Sequence, residues 1–167
     1  MHNQLTQKDI EKMQEEIEHR RLVERPKLLE AVKEARAQGD LSENFEYYAA
    51  KREKNRNESR IRFLERMIKT AKIVSDESKE DEVGMNNTVK VLFEEDGSIE
   101  TYKIVTAMRC NSLEGLVSVE SPIGKALLGH KAGDRVEVQV SPDYSYYLVI
   151  QSIENTEDDG SDKLRSF

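Results

Sequence analysis

The chain has 167 residues and carries 26 Lys+Arg against 33 Asp+Glu, a net charge of −7. That balance argues against a protein that coats nucleic acid indiscriminately, because such binding sets many cations against phosphates; any nucleic-acid contact should be local. A single cysteine, Cys110, and three scattered histidines exclude an internal disulfide and argue against a zinc site held by this chain alone. With no leader-like N-terminus and no run of 18 apolar residues, neither export nor membrane spanning is expected, and the cytoplasm is the default compartment.

Charge divides the chain near residue 75. Residues 1–75 hold 17 Lys+Arg and 14 Asp+Glu, about +3, whereas residues 76–167 hold 9 and 19, about −10. Two parts are therefore expected, an N-terminal one over 1–75 and a second after a linker.

From about residue 8 to residue 37 the apolar residues Ile10, Met13 and Ile17, then Leu28, Val32 and Ala35, keep helical spacing. The step of 11 from Ile17 to Leu28 is three turns, so the stripe resumes on the same side. Pro26 falls between the two sets and predicts a kink or two collinear pieces, since it removes one intrahelical hydrogen bond. Gly39 suits a left-handed residue after the helix. A second helix follows, in which Tyr47, Ala50, Lys54, Asn57, Ile61, Leu64, Ile68 and Ala71 alternate steps of three and four, the pattern of a coiled-coil seam. Two helices joined by a tight turn pair antiparallel. At 1.5 Å per residue, roughly 30 residues per arm would reach about 45 Å. Lys54 and Asn57 are polar seam residues that read most naturally as register devices.

Residues 76–86 lack apolar periodicity and read as the linker. Strands are expected over 88–93 and 99–105 around the turn Glu94-Glu95-Asp96-Gly97, then over 116–119, 136–140 and 146–153. Ser121 followed by Pro122 reads as an N-cap opening a short helix over 123–128 that ends at Gly129. The second part, 87–153, is thus a small antiparallel sheet with one short helix, and the acidic tail 154–167 is expected to be disordered. The fold class is α+β.

Three features invite a functional reading. The turn Gly39-Asp40-Leu41-Ser42-Glu43-Asn44 places two carboxylates at the end of a long arm. Asp40-x-x-Glu43 before a helix has the spacing of a capping box, which accounts for both residues structurally. Carboxylates are also the preferred ligands of Mg²⁺, and two of them make half a site that a partner would complete. The second helix carries Lys51, Arg52, Lys54, Arg56, Arg60, Arg62, Arg66 and Lys69; with Tyr47 as position a, Arg52, Arg56, Arg62, Arg66 and Lys69 fall on outward positions, a basic face that is either simply solvated or able to track a phosphate backbone. Tyr47 and Tyr48 read as packing groups. The helix opened by Ser121 either covers the sheet or offers a docking face. The second part shows no phosphate-cradling glycine loop and no nucleophile with a base.

The segment Gly-Asp-Leu-Ser-Glu-Asn-Phe-Glu-Tyr-Tyr-Ala-Ala at 39–50, preceded by Arg25-Pro26 and followed by Ser121-Pro122-Ile123-Gly124-Lys125-Ala126-Leu127-Leu128-Gly129, resembles the Gre-type bacterial transcription elongation and transcript cleavage factors, nearest the GreA branch. The likeness spans about residues 5–153. It implies a coiled-coil hairpin and an FKBP-like C-terminal domain acting, as a monomer, on bacterial RNA polymerase. The globular domain would dock at the rim of the secondary channel through Ser121, Pro122, Ile123 and Gly124, and the hairpin would enter the channel. Asp40 and Glu43 would help hold a second Mg²⁺, shared with the polymerase and not bound stably by the free protein. Asn44, Glu46 and Tyr47 would support the tip. Lys51, Arg52, Arg56 and Arg60 would hold the RNA 3′ segment of a backtracked complex. The polymerase, not this chain, would be the nuclease. A channel-binding inhibitor of similar shape is the rival reading, disfavoured by both tip acids being present; a plain coiled-coil scaffold is the third. Departures are the tail beyond Ile153 and the unusually basic run after Lys51. FKBP-like shape does not imply prolyl isomerase activity, and with no tryptophan and no evident aromatic set none is expected.

Overall fold

The computed structural model describes residues 3–39 and 44–166, which group into a helical unit, Ile10–Ala71, and a second unit made of the residues up to Asp9 and those from Lys72 onward. The first residues join the second unit because Gln4–Leu5 (β1) pairs in parallel with Lys72–Ile73 (β2). Nothing in the local sequence marked that two-residue ladder.

The helical unit is an antiparallel hairpin. One arm runs through α1 (Gln7–His19) and α2 (Arg25–Ala37), and the other is α3 (Phe45–Lys69). A π turn, Arg20–Glu24, joins α1 to α2, and His19 and Arg25 on either side of it keep right-handed helical angles. The helix therefore passes Pro26 without a break. Proline offers no N–H and crowds the carbonyl four residues back, so a local widening to five-residue bonding accommodates it. Arg25 N–H accordingly bonds the Arg20 carbonyl. Asn57 of α3 completes this turn: its amide donates to that same carbonyl at 3.2 Å, and its oxygen accepts from the Arg20 guanidinium at 2.9 Å. A slip of one helical turn would separate both pairs, so Asn57 favours one register.

All eight expected seam positions lie inward. Tyr47, Asn57, Ile61 and Leu64 are buried, and Ala50, Lys54, Ile68 and Ala71 are half-buried. Charged residues beside the seam pair across it: Arg60 with Glu16 at 2.8 Å, Arg25 with Glu58 through two bonds of 2.7 and 2.9 Å, and Arg21 with Glu65. This is the usual use of the positions flanking a coiled-coil core. After α2, Gly39 has φ +139°, a conformation side chains disfavour.

The second unit is a five-stranded sheet in the order β5-β4-β3-β7-β6, formed by Thr88–Phe93 (β3), Ile99–Val105 (β4), Leu116–Ser118 (β5), Arg135–Ser141 (β6) and Tyr144–Glu154 (β7). It is mixed where an antiparallel sheet was expected, because β5 returns parallel to β4 after a loop containing the 3₁₀ turn Ser112–Glu114. Val89, Val91, Ile104, Val136, Val138, Leu148 and Ile150 are buried on one face, where Leu127 of the short helix α4 (Pro122–Leu127) joins them. Burial of each such side chain contributes about 1.5–3 kcal/mol as an upper estimate. Residues 76–86 contain neither helix nor strand, yet Val83 and Met85 enter this core.

The tail, expected to be disordered, makes specific contacts instead. The Thr156 hydroxyl donates to the Asn86 carbonyl at 2.5 Å, and Lys8 donates to the Asp158 carbonyl at 3.0 Å. Asp162 pairs with Arg109 at 3.2 Å and Lys103 at 3.1 Å, and Arg109, only 1% exposed, also holds Asp9 at 2.6 Å. Asp158 lies 3.8 Å from the same guanidinium. Acidic composition argued for disorder because the matching cations lie some fifty residues away. Among the described residues no helix is long and apolar enough to cross a membrane.

Candidate functional site

At the hairpin end, Asn44 is the N-cap of α3: its side-chain oxygen accepts from Tyr47 N–H at 3.0 Å. Its amide also donates to the Ala35 carbonyl of α2 at 2.6 Å, so one side chain starts the second helix and ties it to the first. Asn44 is thus the observed cap of α3. Asp40 and Glu43 themselves, the expected catalytic and metal-binding acids, lie outside the described residues.

Tyr47 is buried behind the cap. The Arg36 guanidinium sits 5.4 Å above its ring and donates to its hydroxyl at 3.3 Å, holding that hydroxyl below the usual tyrosine range. Lys51 lies 6.0 Å over the same ring. Glu46 is exposed in the first turn of α3, where an acid favours the positive helix end. Tyr48 is half-exposed, and Phe45 is 84% exposed. The exposure of Tyr48 corrects its expected packing role, though its ring meets that of Tyr47 at 5.5 Å. The available signal for Phe45 was its place at the first helical position, outside the seam spacing.

Of the expected RNA-facing cations, Lys51, Arg52 and Arg56 are exposed on α3, and Arg56 pairs with Glu53 at 3.0 Å. Arg60 departs from that set. Its side chain is 7% exposed and reaches Glu16 across the hairpin at 2.8 and 3.3 Å. In the heptad begun at Tyr47 it occupies the seam-flanking g position, away from the outward b, c and f face, and its pairing with Glu16 sets it apart from the other cations expected to face RNA. Burial raises the Glu16 carboxyl, but the bonds from Arg60 and Arg20 outweigh it and hold the group below the usual carboxylate range.

The α4 surface divides its four expected residues by role. Ser121 is the N-cap, accepting from Gly124 N–H at 3.1 Å, and its hydroxyl donates to the Ser118 carbonyl at 2.6 Å. Gly124 is buried, and a Cβ there would stand 2.0 Å from the Ser118 carbonyl oxygen. It is therefore a close-approach residue and offers no side chain to a partner. Pro122 is exposed and Ile123 half-buried, leaving these two with Ser121 as the accessible members. On β3, β4 and β7, Phe93, Tyr102, Tyr144 and Tyr146 gather with ring spacings of 5.7–6.4 Å, an aromatic cluster not expected from the sequence. Residues 93, 102, 144 and 146 come from three strands, so no local motif announced them.

Among the described residues no group of three or more His, Cys, Asp or Glu is placed to hold a metal ion. The chemistry of Asp40 and Glu43 fits a hard cation such as Mg²⁺, but two carboxylates leave most of its coordination to other ligands.

Two family descriptions match this chain: "Transcription elongation factor, N-terminal" over residues 3–73 and "Transcription elongation factor, GreA/GreB, C-term" over residues 77–155. Transcription elongation factor GreA of Thermoanaerobacter pseudethanolicus is 45% identical over 137 residues, spanning 81% of this chain and 87% of that protein. GreA of Mesomycoplasma hyopneumoniae is 41% identical over 145 residues, spanning 87% and 91%. A crystal structure of GreA factor homolog 1 (Gfh1) of Thermus thermophilus is 27% identical, covers 92% of this chain and 99% of its own, and aligns with a TM-score of 0.42. With both halves matched in order, by family descriptions that together span most of the chain, the chain belongs to the GreA/GreB family of transcription elongation factors.

Proposed function

We propose that this protein binds bacterial RNA polymerase as a monomer through the secondary channel and stimulates cleavage of backtracked RNA, with the polymerase as the nuclease. The observation that carries the reading is the Asn44 cap. Asn44 by itself starts α3 and fastens it to Ala35, so the N-cap of α3 does not require Asp40 or Glu43, and two carboxylates in the sequence between the two arms favour another role.

That role is to present hard oxygen ligands. Asp40 and Glu43 would hold part of a Mg²⁺ site whose remaining ligands come from polymerase and RNA. A metal so placed polarises a phosphate oxygen and acidifies a bound water. The rest falls to the chain's own groups. The Asn44 bonds to Ala35 and Tyr47 fix the base of the tip, and Tyr47 is clamped by Arg36. Lys51, Arg52 and Arg56 are exposed cations available to RNA phosphates, while Arg60 serves the hairpin. Ser121, Pro122 and Ile123 would contact the polymerase, with Gly124 shaping the turn beneath them.

The test is cleavage in a stalled, backtracked complex with Asp40→Asn and Glu43→Gln. Both substitutions are near in size to the wild type and leave the Asn44 cap intact. Both variants should fold and bind polymerase while losing at least tenfold in cleavage stimulation, in line with loss of a metal ligand or its support. Wild-type cleavage rates from both would remove the metal-delivery role.

A further inference from the structure

We infer that the acidic tail builds an extra wall onto the polymerase-docking face, and that the groove so formed takes an apolar segment of the polymerase bearing carboxylates. This rests on the docking role proposed for Ser121 and Ile123.

The first support is the anchoring. Arg109 is almost wholly buried and gathers Asp9, Asp162 and, at longer range, Asp158; Lys103 adds a second cation on Asp162. An unpaired guanidinium in such a place is costly, so the tail carboxylates are strongly held. Just past this clamp, Arg165 N–H bonds the Met108 carbonyl at 2.5 Å. The clamp and this backbone bond bracket residues 163 and 164 in position.

The second support is the groove itself, about 620 Å³, lined by Lys163, Leu164 and Arg165 of the tail together with Ser121, Ile123 and Leu113 among others. Leu113 is 96% exposed, a large apolar side chain with nothing over it. Among the described residues no acidic side chain lines the groove, although the chain from residue 76 onward is strongly acidic. Two cations, a bare leucine and a half-buried isoleucine match an acidic, apolar partner segment, and opposite charge across such a rim speeds encounter and sets orientation. Continuity with Ser121 and Ile123 assigns that segment to the polymerase.

The third support is position in the chain. The C-terminal family match ends at residue 155, so the wall contributed by residues 163–165 adds to the docking face outside the matched region.

The test uses the full chain with Lys163→Glu and Arg165→Glu together. Both side chains are exposed, and the Arg165 main-chain bond is retained, so the fold should persist. Binding to bacterial core RNA polymerase is measured at low and high salt, with cleavage stimulation at saturating factor. The variant should bind about tenfold more weakly at low salt, with the gap closing at high salt, and should cleave normally once saturated. An unchanged affinity would overturn the inference, and tighter binding would show instead that the tail covers the docking face. If the variant matches a wild type that binds and stimulates cleavage, the tail inference alone falls. If the wild type neither binds polymerase nor stimulates cleavage, the proposed function falls and takes this inference with it.

Discussion

The Asn44 amide reaches the Ala35 carbonyl at 2.6 Å while its oxygen caps α3 through Tyr47 N–H, so one side chain both starts a helix and closes a hairpin. Asn44→Ala should cost about 2 kcal/mol, roughly one for the cap and one for the inter-helix bond. Asn44→Asp keeps an acceptor for the cap but cannot donate to Ala35, and should fall between the two. Urea unfolding of the three proteins measures this; equal stability for Asn44→Asp and wild type would remove the inter-helix contribution.

The Glu16 carboxyl sits between Arg20 and Arg60 at 2.8 Å from each. Burial works against its charged form, but the two guanidinium bonds win and lower its pKa from the ordinary 4.5. A lowered folded-state value means that the unfolded chain binds the proton more readily. The stability from this group is therefore complete above pH 4.5 and is lost as pH falls through the lower folded value. Thermal melts of wild type from pH 7 to pH 3 should show this loss, and Glu16→Gln should begin less stable and lose less between pH 5 and pH 3. A variant curve parallel to wild type throughout that window would mean that Glu16 titrates without linkage to folding.

Gly124 packs against the Ser118 carbonyl so closely that an added Cβ would lie 2.0 Å from the oxygen. Gly124→Ala should destabilise the β unit by about 1–3 kcal/mol through forced backbone movement. Ser121→Ala should cost about 1 kcal/mol as a lost cap. Pro122→Ala touches neither contact and should reduce polymerase affinity with little change in stability. Denaturation and binding measured on the same three variants separate the stability contribution of each residue from its docking contribution.

Arg109 holds the tail through Asp162 and the start of α1 through Asp9. Arg109→Ala should cost about 3–5 kcal/mol, since it strands buried carboxylates. Asp162→Asn is milder and should loosen the tail while leaving the sheet intact. Amide hydrogen exchange reads this directly: the Arg165 amide should exchange faster in Asp162→Asn, while the Ile150 amide, bonded to the Asp134 carbonyl, should not change.

What the chain revealed unaided follows local periodicity. The alternating three-four spacing located every seam residue from Tyr47 to Ala71, and period-two alternation placed Thr88–Phe93 and Ile99–Val105 at their observed bounds. Ser121 followed by Pro122 announced the α4 cap, since a cap is set by residues three apart. The tip and α4 motifs likewise carried the family.

Tertiary structure decided the matters that depend on distant partners. That Asn44 also ties α3 to α2 rests on the Ala35 carbonyl nine residues back, which no capping pattern contains. Arg60 belongs to the hairpin because Glu16 stands opposite it, 44 residues away in sequence. The tail is held because Arg109 binds both Asp162, 53 residues on, and Asp9, 100 residues back. Short-range patterns specify which elements form; the pairing of charges across them depends on how the chain brings those elements together, and no window along the sequence contains both partners.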